Sequence, residues 1–262
     1  MFQPIYRLFI ELTNGKWTSE FLRKFARSPR SRKVVSRFAK AYKLNTEEME
    51  KPLAEFPTLH DLFIRKLKPG SRPVDQGEFS VVSPVDAVIE DIGTIKPNSE
   101  MEVKGKIYSV ADMLGDMATA EKYMDGIYMI FYLSPSHYHR IHSPVDGQVK
   151  RQWALGAKSY PVNKWGLKYG VDTLSKNYRM ISEIETASGM VAVVKVGAMF
   201  VNSIETTHSG TELKKGGEMA YFSFGSTIVL LFEKGCFTPD QSLVPPFDIR
   251  MGEKVGSLRT GS

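Results

Sequence analysis

A chain of 262 residues, 42% hydrophobic and 24% charged, is long enough to bury a sizeable core as one large domain or two small ones. A single cysteine, Cys236, excludes an intrachain disulfide framework and suits a reducing compartment. Net charge is +6, yet eleven Lys or Arg against Glu11 and Glu20 put +9 on residues 1–43 and leave −3 for the rest. That asymmetry predicts an anionic partner, phospholipid or nucleic acid. No signal-peptide pattern opens the chain, and no apolar run nears the roughly 20 residues of a bilayer span, so a transmembrane protein is not expected.

In chain order, Phe2, Ile5, Tyr6, Phe9 and Ile10 fall at helical spacing, and residues 21–26 and 34–42 repeat the pattern with Lys and Arg on the other faces. Such helices suit a membrane interface, where apolar burial and headgroup attraction add; the alternative is a bundle docked on the core with a solvated basic exterior. Nucleic acid is disfavoured, because no recognition motif or stacking platform accompanies the charge. From Thr46 the charge balance changes, and Pro52 and Pro57 mark a junction, dividing a basic helical segment, 1–45, from a body, 46–262. A short helix ends near Leu62–Leu67, and a helical stretch is expected around Ser109–Met117. Otherwise the body reads as strands: Ala87–Ile89, Ile127–Leu133, Gly147–Lys150, Met190–Val196 and Thr227–Phe232. Ser83-Pro84-Val85-Asp86 recurs as Ser143-Pro144-Val145-Asp146, each a bend that launches a strand. The expectation is an α+β protein: basic amphipathic helices in front of a β-rich, sandwich- or barrel-like body with pseudo-repeated halves.

Three of the five histidines lie in His137-Tyr138-His139-Arg140-Ile141-His142, after an apolar strand. In an extended segment His137 and His139 share one face, and imidazole moves protons near neutral pH. A zinc site is the competing use, opposed by the fixed charge of Arg140 and the lack of clustered Cys or acids. Asp86, His142 and Ser226 are the parts of a nucleophile-activating relay drawn from separate loops. Phe224-Gly225-Ser226-Thr227 itself reads first as a turn before a buried strand.

Five blocks in order carry a resemblance: Phe63-Ile64-Arg65 with Leu67 through Val74, Ser83 through Asp86, Tyr138 through Pro144, Val196-Gly197-Ala198 with Asn202-Ser203-Ile204, and Lys215-Gly216 with Glu218-Met219 and Phe224 through Thr227. Over nearly its whole length the sequence resembles the phosphatidylserine decarboxylases. It departs from them at Phe224, where Leu or Gly is usual, and at Ala87, where Gly is common.

The resemblance implies self-cleavage between Gly225 and Ser226 into chains 1–225 and 226–262, which stay together as a heterodimer. It implies that Asp86 orients His142, that His142 deprotonates Ser226, and that residue 226 becomes a covalent pyruvoyl group. That group forms a Schiff base with the serine headgroup, His139 returns a proton after carbon dioxide leaves, and phosphatidylethanolamine is released. Asn163, Asn177 and Arg179 are candidates for the headgroup pocket, with a structural ion pair the alternative for Arg179. No metal is expected. The basic front end would then meet anionic phospholipid at the cytoplasmic face as a peripheral membrane protein, with a homo-oligomer left open. Two other readings remain at this point: a metal-dependent hydrolase using His137, His139 and His142, and a non-enzymatic membrane-binding module.

Overall fold

The computed structural model describes residues 16–158, 160, 162, 167, 172–197, 204–223 and 226–259. The helix expected over 2–12, Asn163, Phe224 and Gly225 lie outside the described residues.

Helices α1 (Lys16–Arg27) and α2 (Arg32–Ala41) open the described chain, and α3 (Leu59–Phe63) follows a Thr58 N-cap that accepts the Asp61 N–H at 3.1 Å. Ala26, Val35, Ala39 and Leu44 share one buried cluster with Met49, Phe56, Leu59 and Leu62. The basic helices are therefore docked by their apolar stripe, and their packing unit runs past the expected boundary at residue 45 to Leu62. Among the described residues no helix is long and apolar enough to cross a membrane.

Strands β1 (Ser80–Val82), β2 (Ala87–Thr94), β3 (Glu100–Val103) and β4 (Lys106–Ser109) come next, then α4 (Val110–Leu114) and α5 (Met117–Glu121). One helix was expected here; Gly115, at φ 94°, closes the first, and Asp116 caps the second by accepting the Thr119 N–H. The remainder is β5 (Ile127–Leu133), β6 (Arg140–His142), β7 (Gly147–Leu155), α6 (Thr173–Lys176), β8 (Arg179–Thr186), β9 (Gly189–Gly197), β10 (Ile204–Thr206), β11 (Glu212–Leu213), β12 (Glu218–Phe222), β13 (Ser226–Phe232), β14 (Phe237–Pro239), β15 (Phe247–Ile249) and β16 (Lys254–Leu258).

An eight-stranded antiparallel sheet runs β11-β7-β8-β9-β13-β5-β2-β15, with smaller sheets β1-β16-β14 and β10-β12-β6; none closes into a barrel. Outward from the β9–β13 pair, β8, β7 and β11 on one side mirror β5, β2 and β15 on the other. The two bends follow the same correspondence. Ser83 and Ser143 each donate a hydroxyl at 2.7 Å to the carbonyl two residues on. The Val82 N–H bonds the Pro144 carbonyl at 3.0 Å, and the His142 N–H bonds the Pro84 carbonyl at 2.8 Å. The bends are thus interlocked through their backbones.

The central strand β13 is buried along its whole length. Ile228, Leu230 and Phe232 face the smaller sheets, while Val229 and Leu231 face α4, α5 and the β3–β4 hairpin. Coverage on both faces is why its sequence is a continuous apolar run rather than an alternation.

Lys195 interrupts the neighbouring strand β9 on the same face as Val193, fully buried, donating to Ser182 Oγ at 2.8 Å. Burial pushes its amine down to about 7. Because the folded pKa is lowered, the unfolded chain holds the extra proton between about pH 7 and 10.5, and stability rises with pH across that window. Lys195→Met should therefore raise the melting temperature, most at acid pH, by the equivalent of about 2–4 kcal/mol. Thermal melts near pH 6 and pH 9 check this; an equal gain at both would contradict it.

Candidate active site

The site forms where β13 begins. Ser226 pairs with Leu133 on β5 and Gly197 on β9, and its side chain shares the face of Ile228, toward the layer that carries β6 and β12. Its Oγ is fully buried and has no hydrogen-bond partner. An unpaired buried hydroxyl costs about 1–3 kcal/mol relative to a satisfied one. Among the described residues three other buried side-chain atoms also lack a partner: Arg65 Nε, His139 Nε2 and Ser223 Oγ, the last lying three residues before Ser226. The backbone N–H of Phe222, next to Ser223, donates to the His139 carbonyl at 3.0 Å.

The histidine segment is not one extended strand. Ser134 through His137 form a turn in which the Ser134 N–H donates to His137 Nδ1 at 3.1 Å, so His137 locks its own loop. His139 is wholly buried, with Nδ1 2.8 Å from the His137 carbonyl and its ring 4.0 Å from that of Phe63. A carbonyl only accepts, so Nδ1 carries the proton and Nε2 presents a lone pair. Burial first, then the charge of Arg65, hold His139 well below its ordinary pKa, leaving it neutral. His142, on β6, has Nδ1 2.8 Å from the Gly216 carbonyl and Nε2 3.3 Å from the Tyr138 hydroxyl. Nδ1 again donates, and Nε2 is the basic atom. Burial lowers this pKa too, against opposing bonds from Gly216 and charge from Glu218.

Asp86 lies in the bend whose Pro84 carbonyl receives the His142 N–H, but its carboxylate goes elsewhere. Its oxygens accept from Arg72 Nε at 2.8 Å, Arg72 Nη2 at 2.6 Å and the Met251 N–H at 2.9 Å. The expected ring contact is replaced: Gly216 and Tyr138 hold the His142 nitrogens, and Arg72 holds Asp86. Arg72 sits within a motif block of the sequence, but only the fold reveals its partner 14 residues on.

Asn177 and Arg179 are fastened to backbone rather than open to a ligand. The Asn177 amide donates to the Tyr160 and Gly197 carbonyls, each at 2.8 Å, and accepts the Tyr160 N–H. The Gly197 bond makes Asn177 a brace for the residue directly opposite Ser226. Arg179 donates to the Met113, Asn177 and Asp112 carbonyls and, among the described residues, forms no salt bridge, in place of the ion-pair alternative. Among the described residues no three His, Cys, Asp or Glu side chains gather as a metal site would require.

The central strand thus opens on a buried serine without a hydrogen-bond partner, and the layer its side chain faces carries the buried His139 and His142. The phosphatidylserine decarboxylase family profile matches residues 59–257, and the chain belongs to that family. Its relatives carry the name phosphatidylserine decarboxylase proenzyme. One from Anoxybacillus flavithermus is 60% identical over 258 residues, 98% of this chain and 97% of its own. Another from Geobacillus kaustophilus is 59% identical over 252 residues, 96% of each chain. A third, from Bacillus thuringiensis, is 52% identical over 257 residues, 98% of each.

Proposed function

We propose that this protein converts phosphatidylserine to phosphatidylethanolamine and carbon dioxide, using a pyruvoyl group made from Ser226 when the chain breaks its own Gly225–Ser226 bond. The observation that carries the reading is the orphaned, fully buried Ser226 hydroxyl, in a chain whose relatives are named proenzymes. A hydroxyl held at a stability cost, with no structural partner, fits a residue that is consumed.

For cleavage, His142 Nε2 takes the hydroxyl proton once Tyr138 yields it, and Oγ attacks the carbonyl of residue 225. The carbonyl–nitrogen bond breaks and the nitrogen takes the proton, leaving an ester. Loss of the Cα proton of residue 226 then expels the residue 225 carboxylate from Cβ. Water displaces ammonia from the resulting dehydroalanine, and an N-terminal ketone remains. The 226–262 chain stays in place because β13 pairs with β5 and β9, β15 with β2 and β16 with β1, all strands of the 1–225 chain, while β14 pairs with β16.

The pyruvoyl group, once present, supplies a conjugated carbonyl that accepts the electrons of the departing carboxylate. The chain's own contribution is proton management. The headgroup amine arrives as an ammonium, and the His139 Nε2 lone pair can take a proton from it and later return one to the α-carbon.

Access to a lipid headgroup falls to the basic helices. Arg30, Lys33 and Arg37 are exposed, and Phe21 and Tyr42 remain 70% and 43% exposed. Deleting these helices would uncover the cluster around Phe56 and Leu62, so charge reversal is the cleaner test. Arg30→Glu with Lys33→Glu and Arg37→Glu should weaken sedimentation with phosphatidylserine vesicles by about a hundredfold or more, at about 1 kcal/mol for each basic charge lost. Unchanged binding would remove the membrane role from these helices.

Intact mass under denaturing conditions tests the central claim. The purified protein should separate into two chains, the smaller holding residues 226–262 and blocked to Edman sequencing. An active preparation consisting only of the 29.5 kDa chain would overturn the reading.

A further inference from the structure

We propose that Arg72 is a positioning residue for self-cleavage, fixing the Asp86 carboxylate within the bend that bonds the His142 backbone. The inference rests on the self-cleavage reading above. Arg72 grips Asp86 with two donors, shares Nη2 with Glu48 at 2.9 Å, and turns Nη1 to the Ser71 carbonyl at 2.7 Å. Burial alone would lower its pKa, but the bonds to Asp86 and Glu48 raise it above its ordinary value, so the charge is permanent.

The second bend serves as an internal control. Asp146 stands where Asp86 does and is exposed, accepting, among the described residues, the Lys215 N–H alone at 3.2 Å. That bend still forms, and its Pro144 carbonyl still receives the Val82 N–H. A Ser-Pro-Val-Asp bend therefore needs no arginine to fold. The arginine belongs to the one bend whose partner backbone is that of His142.

A fork donating two parallel bonds fixes Asp86 in orientation as well as position, which a lysine cannot reproduce. The charges that bear on His142 are Glu218 of β12, Arg140 of β6 and Asp86 of the bend, beside the Tyr138 hydroxyl and Gly216 carbonyl. Asp86 raises the His142 pKa, and a guanidinium 2.6 Å from that carboxylate must by Coulomb's law oppose its field. Removing Arg72 unmasks Asp86 and moves the His142 pKa up; cleavage needs neutral imidazole, so its acid limb moves to higher pH.

A cavity of about 340 Å³ opens on this group, lined by Lys43, Glu48, Arg72, Asp86, Tyr138 and Arg250. It gives a small cation a route to the position of the lost guanidinium.

The experiment follows cleavage of freshly made full-length chain by denaturing gel across pH, for wild type, Arg72→Gln, Arg72→Lys, Arg72→Ala and Asp86→Asn. Arg72→Gln should cleave about tenfold more slowly or worse with its acid limb shifted up, and Asp86→Asn should be slow with its limb shifted down. Arg72→Lys should be slow with the wild-type limb, and added guanidinium chloride, below denaturing concentration, should speed Arg72→Ala. Wild-type rates in Arg72→Gln and Arg72→Lys would overturn the proposal. So would slow variants whose limb stays fixed and which guanidinium does not help, since Arg72 would then only support the fold. A wild-type chain that never cleaves overturns the underlying self-cleavage reading instead.

Discussion

Ser226→Ala will persist as a single 29.5 kDa chain with no decarboxylation above background. The loss should come without unfolding. Ser226 Oγ has no hydrogen-bond partner, so replacing it by hydrogen removes a desolvation cost and breaks no bond. The backbone pairs with Leu133 and Gly197 do not depend on the side chain, and alanine fits the buried strand face. The variant should melt within about 1 kcal/mol of the uncut wild-type chain, or above it. Measured together, an intact mass, a normal melt and absent carbon dioxide release assign both cleavage and cofactor to one hydroxyl. A cut Ala variant would send attention to Ser223, whose buried Oγ is also unpaired; Ser223→Ala, expected to cleave, is the matching control.

What could be read from the sequence follows the range of the interactions concerned. The apolar run from Thr227 to Phe232 declared a strand, and the structure covers it on both faces. The Ser-Pro-Val-Asp repeat announced two bends, since proline and aspartate act on their own neighbours. The layering of the sheets, and which residues cross them, was beyond such local signals. Arg72 meets Glu48 and Asp86 only after three segments converge, and Arg179 looked like an anion contact until the carbonyls of Asp112 and Met113 were brought to it. Lys195 did leave a trace, a lone charge inside Val191 through Val196, but its burial depends on neighbours supplied by β8 and β13. The helical spacing over 21–26 and 34–42 falls within or beside α1 and α2, whereas the boundary at residue 45, read from charge and prolines, carried no sign of the shared cluster that reaches Leu62.

The second large effect separates the two histidines. His139→Ala should still cleave itself and yet lose decarboxylation by about 10²–10⁴-fold, the usual contribution of a general acid–base group. The division follows from their surroundings. His142 Nε2 faces the Tyr138 hydroxyl, while its backbone is locked to the Pro84 carbonyl of the Asp86 bend. His139 is held by the His137 carbonyl and the Phe63 ring, and its free lone pair has no structural use. Phe63 also meets Phe38 of α2, at 6.5 Å between ring centroids, so the histidine is braced from the side of the basic helices. Removing the imidazole leaves a cavity against Phe63, and a general stability loss of about 1–3 kcal/mol is expected. His139→Gln tests whether that loss matters: it fills more of the space but cannot take and return a proton near neutral pH. Both variants should yield the blocked 226–262 chain in full and stay inactive with phosphatidylserine. Because burial keeps His139 neutral, the wild-type decarboxylation rate should show no acid limb from this group near pH 6.5. Failure of either variant to cleave would instead place His139 in the first reaction, and the assignment of His142 as the sole base there would fall.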